Sequence, residues 1–153
     1  MREILFRGKR VDNGEWVEGA YYHQSEFYGD EWSADYIITT KDELEDNMMI
    51  RERVIPETIG QYTGLRDNTR TEEYPNGKKI FEGDICRFRE WEHGDMCWIG
   101  KVHYEHQQFV ISGEKNKECE TPFTLPMSRF ISKNIEVIGN IHDNPELLKG
   151  GVE

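Results

Sequence analysis

The sequence is poor in the features that assign a chemistry directly. Only three of its 153 residues are cysteine, Cys86, Cys97 and Cys119. That odd set, without C-x-x-C spacing, argues against a disulfide framework and fits reduced thiols. Prolines number five, and neither a low-complexity tract nor an internal repeat is present. No apolar run approaches a membrane span, and the opening MREILFRGKRV lacks the apolar core of a secretory signal, so a cytoplasmic location is expected. Positive charge is also scarce: 19 Lys and Arg stand against 30 Asp and Glu, a formal net charge of −11. Residues 1–60 hold 7 basic and 14 acidic side chains, and residues 61–153 hold 12 and 16. Non-specific nucleic-acid affinity comes mainly from phosphate neutralisation. A chain this acidic disfavours such a partner except at a local basic cluster, for which Arg7/Lys9/Arg10, Lys78/Lys79 and Arg87/Arg89 are the candidates.

What is present is a globular composition, 36% hydrophobic and 32% charged with 12% aromatic residues, at a length that suits one domain or one domain with an extension. The pattern is that of short strands. Residues 3–7 and 15–22 (EWVEGAYY) flank Asp12-Asn13-Gly14, a strong hairpin signal. Gly19 marks a possible bulge in the second of them. Residues 35–40 (DYIITT) and 48–55 are further strand candidates, separated by an acidic piece, residues 41–47, that reads as a helical turn or a loop. Residues 54–86 are turn-rich, with Gly60, Gly64, Gly77 and Gly83 between apolar runs. Residues 85–91, 96–105 and 107–112 then form a meander, with Ile85, Arg87 and Arg89 on one face of its first strand and Cys86, Phe88 and Glu90 on the other. A 3₁₀ piece is expected around Pro126-Met127-Ser128 and a closing strand at 135–141. A short helix is expected near 144–149, where the segment from Asp143 to Leu148 has an N-cap, a proline at the first helical position and acid in the first turn.

These elements predict a mainly β (α+β) fold. An N-terminal β-rich extension (1–60) packs on a C-terminal SH3-like small β-barrel (61–153) with an inserted loop near 66–77 and the terminal helix. Residues 54–86 act as the hinge between them.

Three ordered segments carry a family resemblance: Arg2-Glu3-Ile4; PETIGQYTGLRD (56–67) leading to GKKIFEGDI (77–85); and IEVIGNIHDNPELL (135–148). Together they resemble the YopX family, small proteins encoded by bacteriophages and prophages. The resemblance spans nearly the whole chain. It implies a mostly β fold with an SH3-like C-terminal part, in the cytoplasm of a phage-infected or lysogenic bacterium. It brings no activity and no catalytic residues. The chain departs from the family pattern between the Gly-Leu-x-Asp and Gly-Lys turns, where residues 68–76 lengthen the loop.

Each possible chemistry has a plainer alternative. Cys86, His93, Cys97, His103 and His106 fall within 21 residues, but without the close ligand pairs of structural zinc sites. Cys86 or Cys97 with His103 could form a nucleophile and base, but no cysteine-enzyme motif surrounds them. Glu82 and Asp84 flank a turn, where Asp84 is expected to bond backbone N–H groups. The glycines of residues 60–83 precede no helix and do not form a phosphate loop. No catalytic residue, metal or cofactor is therefore assigned. Small barrels bind through exposed aromatics, so the candidate interaction surface is Tyr62, Tyr74, Arg87, Arg89, Trp91 and Lys101. Trp98 and Tyr104 are weighed as platform residues but expected in the core. The leading expectation is a non-enzymatic module that self-associates as a homo-oligomer or binds a host or phage protein, without a membrane. The alternative is nucleic-acid binding through Arg87, Arg89 and Lys101.

Overall fold

The computed structural model describes residues 1–25, 33–40, 49–89, 97–114, 122–130 and 134–149. The chain divides into two compact units, Met1–Tyr62 and Thr63–Glu153. The described residues form eleven strands, nearly all joined to neighbours in antiparallel register.

In the first unit, β1 (Phe6–Lys9) and β2 (Trp16–Gln24) make the hairpin expected around Asp12-Asn13-Gly14. Gly14 sits at φ 71°, where glycine carries no Cβ penalty. β3 (Ala34–Thr40) pairs with β2, and β4 (Met49–Arg53) pairs with β3. On the other side of β1, Phe6 and Arg7 pair with Gln61 and Gly60 at the start of β5 (Gly60–Arg66). Gly19 lies in the β2 interior because a Cβ there would collide with the carbonyl oxygen of Ile38. The close approach of β3 thus explains the glycine that the sequence marks as a possible bulge. The short connection Pro56–Thr58 is a 3₁₀ turn. Thr58 ties it down: its Oγ1 accepts from Lys9 N at 2.8 Å and donates to Ile55 O at 2.7 Å.

In the second unit, β6 (Lys79–Phe81) pairs with β5, and a five-stranded sheet runs in the order β10-β9-β8-β7-β11. Its strands are β7 (Asp84–Arg89), β8 (Cys97–Glu105), β9 (Gln108–Gly113), β10 (Phe123–Pro126) and β11 (Ile135–Asn140). The expected meander is β7-β8-β9. The expected barrel is not formed: β11 adds beside β7 instead of reaching β10, so the described sheet stays open. The physical reason lies in how the apolar face is covered. Cys86, Phe88, Val102, Ile111 and Ile135 project to one face, and Ile80 of β6, Met127 and Phe130 complete that core, with Leu65 packed against it. A layer of side chains from β5, β6 and the 3₁₀ turn Met127–Arg129 does the work that closure of the sheet would do. At the far edge, β10 ends in Pro126, which has no N–H to extend a ladder.

The terminal helix is corrected as well. Pro145–Lys149 is a five-residue 3₁₀ turn, and no α-helix occurs among the described residues. The Asn140 side chain organises its approach by accepting from His142 N at 3.0 Å and Asp143 N at 2.9 Å. The acidic piece 41–47 and the turn at 92–95 lie outside the described residues.

The long 66–77 loop is closed by one buried carboxylate. Asp67 is fully buried and accepts from Thr69 N (2.9 Å), Thr69 Oγ1 (2.9 Å), Lys78 N (2.8 Å) and Val137 N (2.9 Å). Its own N–H donates to Lys78 O at 2.9 Å. Residues 68–76 therefore project from a base clamped between Asp67 and Lys78. Gly77, at φ 88°, completes the clamp, since a Cβ would collide with the Asp67 carbonyl oxygen. The Asp84 reading holds: this buried carboxylate accepts from Phe81 N at 2.7 Å across the turn that Gly83 makes at φ 88°.

Candidate functional site

The register brings Arg87, Arg89 and Lys101 onto one face of the C-terminal sheet. Ile85 stands opposite Lys101, and the two arginines follow at alternate positions of β7. All three side chains are exposed. Arg87 faces Glu136 on β11, with Nη2 to Oε2 at 2.6 Å. Both groups are wet, so the pair adds at most about 1 kcal/mol.

Tyr62 is 6% exposed and offers no ring to a partner. Tyr74 sits on the 66–77 loop with Lys78 Nζ 5.5 Å from its ring centre, and Trp91 lies outside the described residues. Trp98 belongs to the core, stacked on Phe88 at 6.2 Å and edge-on to Phe123 at 5.1 Å. Tyr104, expected in the core, is 53% exposed and meets Phe109 edge-on at 5.2 Å.

The groups weighed for catalysis do not converge. Cys86 and Cys97 project to opposite faces of β7 and β8. Cys97 and His103 are six residues apart along β8, which at the strand rise is roughly 20 Å. His93 and Cys119 lie outside the described residues. Among the described residues, no three His, Cys, Asp or Glu side chains are grouped to hold a metal.

One arrangement escaped the sequence reading. Ser112 Oγ lies 3.4 Å from His103 Nδ1, and His103 Nε2 lies 2.9 Å from Glu105 Oε2. It has the residue types of a catalytic triad. Ser112, however, is in register with Lys101 on one side and Thr124 on the other. Its backbone lies within the sheet between β8 and β10. His103 and the neighbouring His106 hold the Glu105 carboxyl below its usual range.

The N-terminal sheet shows the clearest sorting of charge. Tyr22, Tyr36 and Arg53 stand in register across β2, β3 and β4, and Ala20, Ile38 and Arg51 form the adjacent row on the same face. Tyr22 and Tyr36 have ring centres 6.4 Å apart, and the Arg51 guanidinium lies 5.5 Å from the Tyr36 ring centre. Tyr22 is 43% exposed, and Arg51 and Arg53 are exposed. Asp35 and Glu52 take the opposite face with the buried Ile37, while Glu18, two residues before Ala20 on β2, stands on the tyrosine face in register with Arg7. Period-two spacing in Tyr36-x-Ile38 and Arg51-x-Arg53 was the available signal. The sequence reading missed the patch because only the cross-strand register assembles it.

On that opposite face Tyr21 Oη donates to Asp35 Oδ1 at 2.6 Å, and His23 Nδ1 lies 2.9 Å from the same oxygen. The Tyr21 hydrogen bond is the main cause that holds the Asp35 carboxyl below its usual range, and the same bond raises the Tyr21 hydroxyl. A depressed carboxylate stabilises the fold at neutral pH and loses that contribution as pH falls through its folded value. Tyr21→Phe is thus expected to cost about 0.5–1 kcal/mol at pH 7. That gap should narrow on acidification below about pH 4, as read by urea unfolding at each pH. A gap that is constant from pH 7 to pH 2 would show that the bond carries no linkage.

The described residues thus form open antiparallel sheets, one of which gathers Tyr22, Tyr36, Arg51 and Arg53 on one face. The chain belongs to the YopX family: the model described as "YopX protein" matches residues 5–149. Neither a curated protein nor a solved structure matches it. No described helix is long and apolar enough to cross a membrane.

Proposed function

We propose that this YopX-family protein is a non-enzymatic binding module whose working surface is the Tyr22–Tyr36–Arg51–Arg53 face, and that its partner is polyanionic. The observation that supports this most is the sorting of charge. In a chain of net charge −11, a face on which two arginines and two tyrosines meet a single described carboxylate of β2, β3 and β4, Glu18 in register with Arg7 on β1, is complementary to negative charge. Repulsion from the acidic remainder is screened within about 10 Å at 0.1 M salt, so contact at the patch decides binding. In the phage or prophage setting that the resemblance implies, such a module acts by engaging a phage or host macromolecule.

Self-association is the second reading, because the acidic remainder of another copy is itself complementary to this face. The Arg87, Arg89 and Lys101 face is a further basic surface, weakened by the Glu136 pairing.

Heparin, a soluble polyanion, tests the primary reading. Despite its net charge the wild-type protein is expected to be retained on a heparin column at low salt. Arg51→Glu/Arg53→Glu should elute in the flow-through, while Arg87→Glu/Arg89→Glu stays retained. Absence of wild-type retention, or loss of it only in the Arg87/Arg89 variant, sinks the proposal. Concentration-dependent mass in sedimentation, abolished by Arg51→Glu/Arg53→Glu, would replace it with self-association.

A further inference from the structure

We infer that the polyanion taken by this face is single-stranded nucleic acid, bound through two stacked bases and their phosphates; this rests on the binding-face reading above. The two tyrosines are cross-strand neighbours with ring centres 6.4 Å apart. That spacing suits successive bases of an extended strand, each with a π-face to offer. Arg53 continues the Tyr22–Tyr36 row on β4, and Arg51 lies one row away, within reach of the phosphates that link such bases. A cationic track beside aromatic stacking positions is the general solution for single strands, and flat aromatics on a sheet face are one way to build it.

The alternatives fit the same face less well. An acidic peptide would use Arg51 and Arg53 but has no planar group for Tyr22 and Tyr36. A duplex offers phosphates but keeps its bases stacked internally, away from the rings. Ala20 and Ile38, in the row beside the tyrosines, add apolar surface suited to base and sugar edges rather than to solvated carboxylates. The strand is recognised by stacking and charge, so the site discriminates little between base sequences.

The test is a fluorescence titration of the full-length protein with oligo-dT and oligo-U 12-mers, the matching duplex, and poly-glutamate, each at two salt concentrations. Binding to the single strands is expected to exceed binding to duplex and to poly-glutamate at least tenfold. Oligo-dT against oligo-U decides whether the strand is DNA or RNA. Tyr22→Leu and Tyr36→Leu should each weaken single-strand binding roughly 5- to 100-fold with the salt slope unchanged. Arg51→Gln/Arg53→Gln should lower the slope of log affinity against log salt by about 1.4, from roughly 0.7 per phosphate. Tyr22, Arg51 and Arg53 are exposed and Tyr36 is half-buried, and far-UV circular dichroism checks that each variant keeps its fold.

Binding to poly-glutamate or heparin with no preference for single strands overturns the nucleic-acid assignment and leaves the polyanion-binding face standing. So does single-strand binding that is indifferent to both tyrosines. Binding to no polyanion at all removes both readings together.

Discussion

Asp67→Ala is expected to lower the unfolding free energy by about 3–5 kcal/mol, enough to remove much of the stability of a domain this size. The carboxylate is fully buried and accepts from Thr69 N, Thr69 Oγ1, Lys78 N and Val137 N. Those bonds join the end of β5, the start of β6 and β11. Alanine leaves three backbone donors without their acceptor, each at a cost of about 1–3 kcal/mol, reduced where water enters. Asp67→Asn keeps the volume but turns one acceptor atom into a donor that faces other donors, so its cost is expected to be smaller but still more than about 1 kcal/mol. Urea unfolding ranks the two variants. Amide exchange should speed first at Lys78 and Val137, which lose their bonds directly, before Phe88 in the centre of the sheet. An Asp67→Ala protein within about 1 kcal/mol of wild type would mean that the loop base is held by Gly77 and the backbone alone.

Phe88→Ala is expected to cost about 3–5 kcal/mol by opening a cavity at the centre of the C-terminal core. Phe88 is 1% exposed. Its ring stacks on Trp98 at 6.2 Å and meets Phe123 edge-on at 5.6 Å and Phe130 at 4.8 Å. One side chain thus joins β7, β8, β10 and the turn that follows β10. In an open sheet this matters more than in a barrel, because the apolar face is kept dry by the few groups laid over it. Phe88→Leu leaves a smaller cavity and should cost less than Phe88→Ala. The comparison separates lost packing from lost strand pairing. If both variants unfold at the wild-type urea midpoint, Phe88 is not the centre of this core.

The parts of the fold that were legible in the sequence are local. Asp12-Asn13-Gly14 announces a hairpin because its residue types lower the cost of the turn wherever the strands go. Asp84 reads as a turn carboxylate for the same reason, and Phe81 N does donate to it. The alternation in residues 85–89 correctly separates Arg87 and Arg89 from Cys86 and Phe88. The terminal segment shows the limit. Asp143-Asn144-Pro145 satisfies the rules for a helix start, but Asn140 accepts from the backbone of His142 and Asp143, and only a 3₁₀ turn follows.

The candidate surface was less legible than the fold. Tyr62 looks like any other tyrosine on a short alternating strand, and only packing makes it 6% exposed. Tyr22, Tyr36, Arg51 and Arg53 are spread over 32 positions of chain and meet because β3 pairs with β2 on one side and β4 on the other. The buried role of Asp67 had a partial signal in its turn position, but its bond to Val137 crosses 70 residues.

By itself, then, the sequence determined the strand character of the chain, its tight turns, the acidic balance and the family resemblance that the family match bears out. These depend on neighbours one to four positions apart or on motifs read in order. Tertiary structure alone decided that the C-terminal sheet stays open, with β11 beside β7, that one carboxylate clamps the long loop, and that two tyrosines and two arginines share a face. The reason is physical: alternation says which residues lie on the same side of a strand. Which strand lies next, and whether a sheet closes, follows from hydrogen bonds and side-chain packing between segments far apart in the chain.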